Sequence, residues 1–175
     1  MKKTTWIART ALCLALLICL QFVTKSMGQF VTGSCVNLVL AMAAILGGVW
    51  SGVVVAAVSP FCAYLLGIGP AFFQLVPCAA LGNAVYALIF GLLVCKSIKA
   101  KKFLPSVLMM VLAAAAKFLT LYLALVKLVA PTVVPAAKLP VVTASFTWPQ
   151  LVTACIGGLL ACLIGPVVYR AISSK

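Results

Sequence analysis

One lysine stands where a cation is expensive. Residues 105–129, PSVLMMVLAAAAKFLTLYLALVKLV, are apolar almost throughout, yet Lys117 lies near their middle, and the 175-residue chain contains no Asp, Glu or His. A stretch of this length can cross the roughly 30 Å hydrocarbon core of a bilayer, and a cation at its midpoint costs about 2.5 kcal/mol or more unless it is hydrated, snorkels or is paired. No side chain of the protein can be the counter-ion. Either an external anion meets this charge, or the lysine snorkels or is held neutral while nearby amides and hydroxyls bond between helices.

Other polar residues extend the first of these readings. Lys117, Thr120, Ala124 and Lys127 follow at offsets of three, seven and ten residues, which at about 100° per residue keeps them within one quadrant of an α-helix. That face leads from mid-membrane toward one end of the helix. Asn37, Gln74, Asn83 and Gln150 are expected in the same half of the membrane. The combination predicts an outward-facing, cation-lined cavity for a small anionic ligand, whose carboxylate or phosphate supplies the charge the chain lacks.

The missing residue types exclude other chemistry. General acid–base catalysis relies on carboxylates and imidazole, and hard-metal sites on carboxylates, so the composition argues against an enzyme and against a usual proton relay. The eight cysteines form no CxxC pair and have no histidine to join them, which argues against a zinc or iron–sulfur site. No cofactor is expected. The net charge of +13 arises because acids are absent; it is not the clustered basic face that nucleic acid requires.

The elements that must position these residues are membrane spans. Hydrophobic residues make up 66% of the chain and charged residues 7%, against about half and about a quarter in soluble domains. The sequence predicts an all-α membrane protein forming a single domain over 1–175, a six-span bundle with spans at about 6–24, 36–50, 52–66, 78–95, 105–129 and 149–169. The basic, then apolar, N-terminus is expected to be a retained first span rather than a cleaved signal, since no small-x-small site ends the run. Residues 25–34 and 67–77 read as loops, and 130–149, with Pro131, Pro135, Pro140 and Pro149, as a long connection held against the protein or the interface.

Six spans put both termini on one side. Lys2, Lys3, Arg9, Lys96, Lys99, Lys101, Lys102, Arg170 and Lys175 share that side, while Lys25, Lys127 and Lys138 fall on the other. The positive-inside rule then makes both termini cytoplasmic, in what is expected to be a bacterial plasma membrane.

Small residues recur at four-residue spacing: Ala11 and Ala15 in the first span, Ala44, Gly48 and Gly52 through the second, and Gly157, Ala161 and Gly165 in the sixth. Such rows let helices approach closely. Together with the run TGSCVNLVLAMAAILGGVWSGVVVAAVSPFCAYLLGIGP at 32–70 and the LGNAVY segment, the six short spans and the Ala11-x-x-x-Ala15 pair, they make the chain resemble the substrate-binding S components of energy-coupling-factor (ECF) vitamin transporters. The resemblance covers most of the chain. It implies a small bundle that captures a vitamin or related micronutrient from outside and docks on a membrane coupling subunit driven by two cytoplasmic ATPases. It also implies that Ala11 and Ala15, with Ala8 beside them, meet that subunit, and that outer loops and later helices hold the substrate. A chain without acids departs from members that need a carboxylate partner for a cationic substrate such as thiamine. Two rival classes stay open at this point: a self-contained secondary carrier or channel for an organic anion, and a membrane assembly factor with no ligand.

Overall fold

In a computed structural model, which describes residues 2–100 and 102–173, the chain is a helical bundle with no strand among the described residues. Lys101 and Lys175, both counted in the charge asymmetry, lie outside them. Among the described residues, five helices are long and apolar enough to cross a membrane, and a sixth, at Val49–Leu65, is shorter.

The element order follows the apolar runs. Helix α1 (Lys3–Thr24) turns through Lys25–Met27 into α2 (Gln29–Gly47). Helix α3 (Val49–Leu65) follows after a single residue, Gly48, whose φ of +86° suits a residue with no Cβ. The guanidinium of Arg9 caps this turn by donating to the Leu46 carbonyl at 2.9 Å, and Thr10 Oγ1 donates to Ser51 Oγ at 2.8 Å. Helix α4 (Val76–Ile89) runs on through a π-helical stretch, Phe90–Val94, into α5 (Cys95–Lys99). Helix α6 (Phe103–Leu121) continues as a second π-helical stretch, Tyr122–Val129, and then α7 (Ala130–Val133). Helices α8 (Leu139–Ser145) and α9 (Trp148–Ser173) complete the fold.

Several expected boundaries shift. The expected loop at 25–34 is already α2 from Gln29, and the second break falls at Gly48, not after Trp50. The connection at 130–149 is mostly helical: the helix from α6 carries on past Pro131 to Val133, and Pro140 and Pro149 each sit in the first turn of a helix, where a missing N–H leaves no bond unmade.

Helix α2 occupies the middle of the bundle, packing against α1, α3, α4 and α9. Its closest partner is α9, and the reason is glycine. A Cβ on Gly157 would fall 2.5 Å from the Ser34 carbonyl oxygen and 2.6 Å from the Leu38 nitrogen, so a side chain there would force the two backbones apart. Where lipid tails are as apolar as leucine, such close approach is a main source of helix association. The row Gly157, Ala161 and Gly165 is thus spent inside the bundle. The row on α1 is not: Ala8, Ala11 and Ala15 are exposed, while Thr10, Cys13 and Leu17 face inward.

Candidate functional site

A cavity of about 320 Å³ opens at the end of the bundle where α2 and α9 begin and α1 and α3 end. Lys117 reaches it from α6, Asn37 from α2, Asn83 from α4, and Gln150 from α9. Helix α8 contributes Val142 and Ser145, and the residue after it Phe146, to one wall, so the 130–149 connection is structurally part of the site.

Lys117 does not snorkel. It is 2% exposed, and its Nζ donates to the Oδ1 of Asn37 at 2.7 Å and lies 5.7 Å from the centroid of the Tyr86 ring. Asn37, itself 0% exposed, is oriented by two further bonds: its Nδ2 donates to the Gly33 carbonyl at 2.8 Å and to Thr153 Oγ1 at 3.4 Å. Tyr86 is held in turn by its hydroxyl, which donates to the Ala154 carbonyl at 3.3 Å. One lysine side chain therefore joins α6 to α2 and α4, and both partners are anchored on α9 or on their own backbone.

Magnitudes show what this arrangement achieves. A hydrogen bond to a charged group contributes about 1.5–3 kcal/mol, and a desolvated cation over an aromatic face about 2 kcal/mol. Their sum is comparable with the cost of about 2.5–3.5 kcal/mol for a lysine at mid-membrane. The neutral partners can hold the lysine in place, but they supply no counter-charge. An ammonium has three donors, and Asn37 accepts from one.

The remaining sequence-predicted residues divide. Gln150 is buried, lines the cavity and donates from Nε2 to the Ser145 carbonyl at 3.4 Å, linking α9 to α8; Asn83 is also buried at the wall. Gln74 is exposed on the short turn before α4 and does not line the cavity. Thr120 is half-buried, and its Oγ1 donates to the Ala116 carbonyl of its own helix at 2.8 Å. Lys127 is exposed, with its Nζ 5.4 Å from the centroid of the Tyr122 ring. The face predicted from Lys117 through Thr120 to Lys127 is therefore corrected. From Lys117 onward the buried residues are Lys117, Leu121, Leu125 and Ala130.

The π-helical stretch explains the change of face. Its i→i+5 pairing puts more residues in each turn, so each residue advances less than the 100° of an α-helix. Over the residues from Tyr122 to Lys127 the lag reaches roughly a quarter turn, which carries Lys127 to the exposed side.

Three cavity or near-cavity residues carried no sequence assignment. Gln29 sat in an expected loop, and Tyr86 reads as one more aromatic. Gln21 was visible as a lone amide in the apolar run of α1; its Oε1 is buried without a hydrogen-bond partner. A buried acceptor left unpaired costs about 1–3 kcal/mol.

No family model matches the chain, and neither a curated protein nor a solved structure matches it.

Proposed function

We propose that this protein is the substrate-capture subunit of an ECF-type importer, a six-span membrane protein with both termini in the cytoplasm that takes a small anionic vitamin or micronutrient from outside. The observation that carries the proposal is Lys117. A buried ammonium stands at the wall of a cavity in a chain with no carboxylate, so an anionic ligand supplies the charge that Asn37 and Tyr86 cannot. Asn83, Gln150 and Gln21 offer amide groups around the same space to bond the rest of such a ligand.

Orientation follows from charge. The basic residues cluster at the end opposite the cavity, which under the positive-inside rule puts the cavity outside. The exposed row Ala8, Ala11 and Ala15 supports docking: a flat strip of small residues turned away from its own bundle admits another helix closely. The partner in this reading is a membrane coupling subunit carrying two ATPases. The protein itself hydrolyses nothing.

Mass spectrometry of small molecules co-purifying with the protein tests the reading. It expects an organic anion, bound less tightly by Lys117→Ala. A ligand set confined to neutral or cationic compounds, or unchanged binding by Lys117→Ala, would sink it; unaided anion flux in liposomes would favour a self-contained carrier.

A further inference from the structure

We infer that a second recess, at the opposite end of the bundle from the Lys117 cavity, holds the headgroup of an anionic phospholipid. It measures about 200 Å³ and lies between the turn that joins α5 to α6 and the last turns of α9. Lys102 and Arg170 border it, and both are exposed. Its walls are Ile98, Phe103, Cys162 and Pro166, and buried Ser106 lies among them with its Oγ donating to the Lys102 carbonyl at 2.7 Å.

Charge complementarity names the occupant. Two cations border one small recess, and no Asp or Glu exists anywhere in the chain to neutralise them. No side chain of the protein can supply the anion. Depth and surroundings then favour a lipid over a soluble anion. The recess lies at the ends of helices long and apolar enough to cross a membrane, where the headgroups of a bilayer spanned by them would lie. Beside it the helix surfaces are apolar and exposed, at Phe103 and Leu104 on α6 and at Leu163 and Val167 on α9. A phosphate between Lys102 and Arg170 would therefore continue into acyl chains lying along those residues. Basic pockets between spans are a recognised way to hold anionic headgroups.

Native mass spectrometry of the detergent-solubilised full chain tests this, using phosphatidylglycerol and phosphatidylcholine with identical acyl chains. Wild type is expected to retain phosphatidylglycerol at about tenfold lower lipid concentration than phosphatidylcholine. The double variant Lys102→Gln, Arg170→Gln is expected to lose that preference. The double variant Lys25→Gln, Lys138→Gln, which removes the same charge at the other end of the bundle, is expected to keep it. All four side chains are exposed, so folding should be unaffected, and a melting curve checks this. The inference is overturned if wild type retains both lipids alike, if the first variant keeps the preference, or if the two variants lose it equally. Displacement of phosphatidylglycerol by an equal concentration of inorganic phosphate would also overturn it, by showing a site for a soluble anion.

Discussion

Lys117 and Asn37, eighty positions apart in the chain, meet through a single 2.7 Å hydrogen bond from Nζ to Oδ1. The bond ties α6 to α2, and Asn37 extends it to Thr153 on α9. A cation, a neutral acceptor and a cavity thus share one place. Each can be perturbed separately.

Lys117→Met keeps the length and apolar bulk of the side chain and removes its charge. Affinity for the anionic ligand should fall by about tenfold to a hundredfold, the loss of one charge-assisted hydrogen bond. Thermal stability should change little, because relief of the buried cation is offset by the Asn37 Oδ1 left without its donor. Calorimetric titration and a melting curve on the same sample separate the two effects.

Asn37→Asp places a carboxylate at the oxygen Lys117 already bonds. The internal pair then satisfies the ammonium, and anion binding should drop by at least tenfold. Asn37→Leu removes the acceptor and leaves the cation without it, which should destabilise the fold by about 2–3 kcal/mol. An Asn37→Asp protein that binds the anion as tightly as wild type would show that Lys117 does not carry the ligand's charge.

Gly157→Leu should be among the most damaging changes outside the cavity. Its side chain has no room against Ser34 and Leu38 of α2, and overpacking of this kind costs about 1–3 kcal/mol or more. Expression in detergent should fall, and the melting temperature of any recovered protein should drop. Ala8→Leu, on the exposed face of α1, should leave both unchanged.

Ala11→Trp and Ala15→Trp test docking independently of capture. Both positions are exposed and remote from the cavity. Ligand binding by the isolated protein should be unchanged, while co-purification of a coupling subunit with its ATPases should be lost. Retention of that complex by both variants would rule out this strip as the docking surface.

Orientation can be read by labelling. In a background with all eight cysteines replaced, a cysteine introduced at Lys138 should react with a membrane-impermeant maleimide on intact cells, and one at Lys96 should react after lysis. The reverse pattern would place the cavity on the cytoplasmic side.

Composition and apolar run length determined the class of this protein. A helix satisfies its own backbone in lipid, so long apolar runs without acids read directly as helices fit for a membrane. The absence of carboxylates was equally legible, and with it the oddity of Lys117. Tertiary structure decided which polar residues share a place. Asn37, Tyr86 and Lys117 lie on three helices, and no spacing rule connects positions that meet by packing. Spacing also failed within one helix, because it assumes a constant turn: the π-helical stretch after Leu121 rotated Lys127 away, and Leu125 faces inward where Ala124 was expected. Proline was ambiguous for a similar reason, since at 130–149 it could break helices or begin them. The sequence could name an uncompensated charge; its surroundings followed from the close approach of α2 to α9 that Gly157 permits, and from the hydrogen bonds made across that contact.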